Sequence, residues 1–173
     1  GQPLWPDDSL TTGDVTFRLA GVLTPQERWT ILLSVSRGFR APHMTDLGTL
    51  GLTGSGFEVA APDVAGLGGF VGTTADASAI STGRAVAQLE PETSLQYEAG
   101  IGYRNRVWRT DLTFFVNNVH ANIQKQSLIL PPGAVGTVIG AQTITSQNAN
   151  GVVFVPISTV PVLVRANFDE ARI

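Results

Sequence analysis

The stretch from Ser94 to Ile123 restricts the possible folds more than any other part of the chain. Leu95, Tyr97, Ala99, Ile101 and Tyr103 alternate with Ser94, Gln96, Glu98, Gly100, Gly102 and Arg104, and a period of two marks a strand with one apolar face. After a break at Asn105 and Arg106 the alternation resumes. Trp108, Thr110, Leu112, Phe114 and Val116 share one face, and Arg109, Asp111, Thr113, Phe115 and Asn117 share the other. Two such runs joined by a tight polar turn predict an antiparallel hairpin. Each run is about as long as a membrane-crossing strand, ~9–11 residues. Tyr97, Tyr103 and Trp108 fit an aromatic girdle, in which a ring keeps its body in hydrocarbon and its polar atom among the headgroups.

Composition narrows the partners. Charged residues are 14% of the 173 and the formal net charge is -3, against ~25% charged residues in ordinary globular domains. A basic surface for nucleic acid is not expected. The absence of cysteine removes disulfides and thiolate chemistry. No apolar run approaches the ~18 residues of a membrane helix, so a membrane would be met through a barrel, whose signal lies in alternation. Gly1-Gln2-Pro3 does not open a secretory leader, and the chain reads as a piece of a longer protein.

Taken in order, Gly1 to Thr12 is a loop with no periodicity. A first strand is expected at about 13-20, with Val15, Phe17 and Leu19 on one face, then a turn from Gly21 to Glu27. A second strand is expected at about 28-37, where Trp29, Ile31, Leu33 and Val35 alternate with polar neighbours. Strands at about 94-104 and 107-123 form the hairpin already described, and another begins at about 164-173. Two long connections, 41-93 and 124-163, are rich in Gly, Ala, Thr and Ser and have little periodicity. Within the second, Thr137 to Thr145 is expected to form a small hairpin around Gly140-Ala141. Long structureless segments are uncommon in compact soluble domains, whereas membrane barrels alternate short periplasmic turns with long extracellular loops. The expected fold is therefore all-β: an antiparallel up-and-down meander, an open segment of a transmembrane β-barrel with both long loops on one rim. A soluble secreted β-sandwich for binding or adhesion is the alternative from another class.

Three motifs carry a family resemblance. Gly38-Phe39-Arg40-Ala41-Pro42 followed by Asp46-Leu47, then Leu89, Pro91, Glu92 and Ser94, then Tyr97-Glu98 and Gly100, resemble in type and order the barrel motifs of TonB-dependent outer-membrane receptors. Asn167 and Ala171-Arg172-Ile173 look like the start of that family's next descending strand. Ala87-Gln88 stands where the family usually has Asn-Pro. No plug domain, energy-coupling box or closing strand is recognised. The resemblance implies an outer-membrane receptor of a Gram-negative bacterium that takes up scarce solutes, such as ferric siderophores or cobalamin, with energy from the inner membrane. It also implies several partners: outer-membrane lipid, the rest of the barrel and its plug, the TonB complex, and a small solute at the extracellular loops. A passive porin is the alternative for the same fold.

The residues themselves point to no chemistry: no catalytic, cofactor-binding or metal-binding residue is expected. His43 and His120 lie far apart, and neither has a second ligand at metal spacing. Arg37, Arg40 and Asp46 either bind an anion or anchor a loop, and the neighbouring Gly38 and Pro42 favour the anchor. Glu98, Arg104, Arg109 and Asp111 mix both signs on one face, as a water-facing lumen does without catalysis. Gly66, Gly68 and Gly69 precede no Lys-Ser/Thr pair and make no phosphate loop. The uncharged run from Gln126 to Val164 either contacts a neutral or amphiphilic solute or only packs on its neighbours.

Overall fold

A strand whose outer residues are apolar needs neighbours in the same register, or its rows would not line up. The computed structural model, which describes residues 11–48 and 51–172, shows that alignment. The expected opening loop lies, up to residue 10, outside the described residues, as does Ile173. Strands β1 (Phe17–Gln26) and β2 (Trp29–Arg40) lead into the short helix α1 (Met44–Gly48) and the hairpin β3 (Gly51–Thr53) and β4 (Gly56–Val59). The turn of helix α2 (Ala61–Val64) and strands β5 (Phe70–Gly72) and β6 (Ser81–Ala85) precede β7 (Glu92–Arg104) and the long β8 (Arg109–Ile129). Short strands β9 (Val138–Ile139), β10 (Gln142–Thr143), β11 (Ser146–Gln147) and β12 (Val153–Phe154) come before β13 (Leu163–Arg172). Among the described residues the largest sheet is mixed, has nine strands and does not close on itself. No described helix is long and apolar enough to cross a membrane.

The chain divides into two compact units. One holds the described parts of residues 12–41, 91–122 and 168–173. In it β1, β2, β7 and β8 are consecutive antiparallel neighbours. Residues directly opposite each other share a face, so register assembles rows across the strands. Leu23, Ile31, Ile101 and Leu112 form one apolar row, and Leu19, Val35, Tyr97 and Val116 form another. Between them run Gly21, Leu33, Ala99 and Phe114. The opposite face carries Thr30, Gly102 and Asp111 in one row and Ser36, Gln96 and Asn117 in another. Ser34 and Glu98 lie opposite each other on this face, and the serine hydroxyl donates to the carboxylate over 3.2 Å.

The two ends of this unit differ. At one end Trp29 faces Tyr103 with ring centroids 4.9 Å apart, and both short turns lie here. Asn105 closes the second of these turns, its side-chain oxygen accepting from the Val107 and Trp108 amides at 2.8 and 2.7 Å, a local bond that favours Asn in turns. At the other end Arg40 lies opposite Glu92, and Thr93 opposite His120. Both long connections leave and return here. Tyr97 is not at an end: it sits within a row, opposite Val35 and Val116, so the aromatics at the short-turn end are Trp29, Tyr103 and Trp108.

Several strand boundaries differ from the pattern reading, those of β1 and β8 most. β1 begins at Phe17 and runs to Gln26, leaving only Glu27-Arg28 as the turn. The ladder is irregular between Leu23 and Gln26, and that irregularity accommodates Pro25, which has no amide to donate. β8 continues past 123 to Ile129. Its Ala121 has φ of 55°, an uncommon conformation for a residue with a Cβ, immediately after the last β7 partner, His120.

The second unit holds the described parts of residues 1–11, 42–90 and 123–167. The two long connections therefore fold together rather than hang as separate loops. Phe57, Val59 and Val64 from the first pack with Leu128, Leu130, Ile139, Ile144, Val153, Val155, Val162 and Val164 from the second. The hairpin at Gly140-Ala141 is present, formed by β9 and β10. Gly151 shows why the connections are glycine-rich: its φ is 85°, and a Cβ there would lie 2.7 Å from the Leu130 carbonyl oxygen.

An expected result follows from the apolar rows. Trp108 and Phe114 are 68% and 66% exposed, and Leu33, Tyr97, Ile101 and Leu112 are exposed beside them. So extensive an apolar face, on a sheet with open edges, is not tolerated by soluble monomers. The isolated chain should aggregate in buffer or require detergent. Size-exclusion chromatography and a thermal melt check this, and a monodisperse monomer with a cooperative melt in plain buffer contradicts it.

Candidate functional site

The unit made by the long connections, here called the cap, is organised around a charged cluster. β4 alternates, so Phe57 and Val59 enter the apolar core while Glu58 points to the other side. β13 runs parallel to β4 with Leu163 opposite Glu58, which brings Arg165 alongside. Glu58 is only 1% exposed. One of its carboxylate oxygens accepts from Lys125 Nζ at 2.5 Å and from Thr53 Oγ1 at 2.6 Å. The other accepts from Arg165 Nε at 3.1 Å. Arg165 also pairs through Nη1 with Asp46, whose second oxygen accepts from the His43 amide at 2.8 Å and so caps α1. Lys125 and Arg165 stand at the two roots of the second long connection, and Asp46 and Glu58 belong to the first. The cluster ties all of these points together.

Burial pushes the Glu58 carboxyl up, but the hydrogen bonds from Lys125 and Thr53 and the charges of Arg165 and Lys125 outweigh it. The net direction is below the usual glutamate value. Elsewhere in the cap, burial raises Asp63, whose Oδ2 is buried without a hydrogen-bond partner. Asp76 is lowered by hydrogen bonds from the Ser78 hydroxyl and amide. A second anchor uses Asn167. Its side-chain oxygen accepts from the Glu90 amide at 2.7 Å and its amide donates to the Glu90 carbonyl at 2.8 Å, as a neighbouring strand would. Arg84 donates to the Asn167 carbonyl.

The residues singled out from sequence are dispersed. Arg37 pairs with Asp14 at 2.6 Å, Arg40 with Glu92 and Asp46 with Arg165, so these three form separate ion pairs and no common anion site. Arg109 pairs with Asp111 at 3.0 Å and Glu98 accepts from Ser34. Arg104 lies opposite Arg109. His43 precedes α1 with its ring beside the Thr45 hydroxyl at 3.2 Å, and His120 lies on β8 in the other unit. Gly68 has φ of 66° and ends a single turn of 3-10 helix. Among the described residues no group of three or more His, Asp or Glu is placed to hold a metal. The cluster's carboxylates are paired with cations, an arrangement that holds structure and leaves no free base. Pattern reading missed Glu58, Lys125 and Arg165. For Glu58 and Arg165 the one signal was a lone charge between apolar neighbours, Phe57-Glu58-Val59 and Val164-Arg165-Ala166; Lys125, between Gln124 and Gln126, gave none.

Set against known proteins, residues 3–172 match the family model described as TonB dependent receptor-like, beta-barrel. No curated protein and no solved structure matches the chain.

Proposed function

The chain belongs to the TonB-dependent receptor-like β-barrel family, an outer-membrane transport family, and from that membership we propose that it is the part of a receptor that makes first contact with a scarce solute taken up from outside. The solute class on this reading is a ferric siderophore, cobalamin or a similar nutrient. The observation that carries it is the cap: both long connections leave the same end of the four-stranded meander and fold on one shared core. Short turns face the periplasm in such barrels, so the opposite end, from which both long connections leave, is the extracellular one. The apolar rows meet outer-membrane lipid. The polar face looks onto the lumen, which a barrel of ~22 strands leaves wide enough for a plug. The remaining partners on this reading are the rest of the barrel, the plug, and the TonB complex that delivers inner-membrane energy.

The test uses the intact receptor in cells. Uptake of the solute should stop when the inner-membrane proton gradient is dissipated and when residues 126–164 are removed. Uptake that continues unchanged without the gradient identifies a passive porin instead.

A further inference from the structure

Resting on the reading that the apolar rows meet lipid, we infer that the short-turn end of the four-stranded meander holds an anionic phospholipid. Its phosphate sits on Arg28, Arg104, Arg106 and Arg109, and its acyl chain lies in a groove beside them. Four of the chain's eleven Lys and Arg residues gather at this end, against two acids, Glu27 and Asp111. The register sets three of the arginines side by side. Arg104 lies directly opposite Arg109, and the Arg28 carbonyl accepts from the Arg104 amide at 2.9 Å. Like charges directly opposite each other are destabilising. The protein supplies little to relieve them: among the described residues Arg28, Arg104 and Arg106 pair with no carboxylate. Arg109 pairs with Asp111, but the two side chains are 72% and 60% exposed, and such surface pairs hold weakly. A row of guanidiniums without counter-ions is met best by phosphate, which takes the planar fork through two oxygens.

The groove says which phosphate. Trp29 lies opposite Tyr103, and Tyr103 opposite Thr110, one register position inward of the arginines. With Ile101 and Leu112 of the next apolar row, these three line a shallow groove on the lipid-facing side. Aromatic rings at the end of a lipid-facing row sit at headgroup depth, with the ring body against the acyl chains. The arginines therefore stand where lipid phosphates lie, and the groove runs from them into the rows that meet hydrocarbon. An acidic peptide would match the charge alone and leave the groove unused. The arginines of the strands belong to the other side of the pleat. Arg28 and Arg106 lie in the turns, however, and Arg104 and Arg109 are the last and first residues of their strands, so each long stem can carry its guanidinium round the rim to the headgroups. On the sidedness proposed above, the lipid belongs to the periplasmic leaflet.

The test places the intact receptor in phosphatidylcholine nanodiscs that carry a minor share of a chain-brominated lipid, either phosphatidylglycerol or phosphatidylcholine. Bromine quenches nearby tryptophan, and the signal read is the part of the emission that Trp29→Phe together with Trp108→Phe removes. Brominated phosphatidylglycerol should quench several-fold more than its zwitterionic counterpart at equal share, and the difference should shrink as salt is raised. With Arg28→Gln, Arg104→Gln, Arg106→Gln and Arg109→Gln combined, the two lipids should quench equally. Arg104→Gln alone should lower the preference, which covers the case of a fourfold variant that folds poorly. Lys at the same four positions should keep a salt-sensitive preference, which a role in shaping the turns would not produce. Equal quenching in the native receptor, or a preference that survives the Gln substitutions, overturns the inference and leaves the lipid-facing reading standing. Binding of soluble poly-glutamate that needs the four arginines, with no lipid preference, also overturns it and identifies an acidic peptide as the partner. No quenching by either lipid removes both readings.

Discussion

Glu58→Gln should destabilise the cap by about 3–5 kcal/mol, the cost of removing one partner from a buried ion-pair cluster. Glutamine keeps the shape and the bond from Thr53, so the loss isolates the charge that Lys125 and Arg165 share. Native-state hydrogen exchange in the intact receptor reads this at Leu128 and Val162, whose amides donate to the Val162 and Val153 carbonyls, both within the shared core. Protection equal to that of the native protein would show the cluster to be dispensable. The same residue sets a pH dependence. Because the folded carboxyl lies below its ordinary value, its stabilisation is complete above the ordinary glutamate range and is lost as pH falls through the lower folded value. Corrected for intrinsic exchange rates, cap protection should fall on acidification in the native protein, and Glu58→Gln should flatten that part of the decline.

Leu112→Arg should cost up to ~2–4 kcal/mol in a barrel refolded into bilayers, the range that a cation on a lipid face reaches at the midplane. Leu112 lies in the row with Ile101, Ile31 and Leu23, and an arginine there must be buried in hydrocarbon or drag water inward. Thr113→Arg, one residue on, should cost much less. Thr113 lies opposite Gly100 on the polar face, where the guanidinium stays hydrated. Equal urea-unfolding penalties for the two would mean that the faces are assigned the wrong way round.

The contrast between these two predictions separates what was legible in the chain from what was not. Leu112 and Thr113 can be assigned to opposite faces from sequence, because side chains on a strand alternate whatever the strand pairs with. The same local rule exposed the hairpin after Asn105, and the motif at Gly38 to Leu47 pointed to the family. The end of β1 was harder to place. Val22 and Leu23 continue the strand next to a Thr-Pro that reads as a turn, and only the pairing of Leu23 with Ile31 decides between them.

The cap lies at the other extreme. Its core is drawn from single valines, leucines and isoleucines spaced irregularly among Gly, Thr and Pro, which buries them without any period to detect. Its anchor joins residues 107 apart, Arg165 and Glu58, and 119 apart, Arg165 and Asp46. Sequence alone showed that the two connections are long, poor in charge and open from one end of the sheet, because these follow from composition and from counting strands. That they form one folded unit with Lys125 and Arg165 paired to buried carboxylates was decided only by tertiary structure, since partner choice across such distances depends on which carboxylate is buried beside which cation, and alternation carries no information about that.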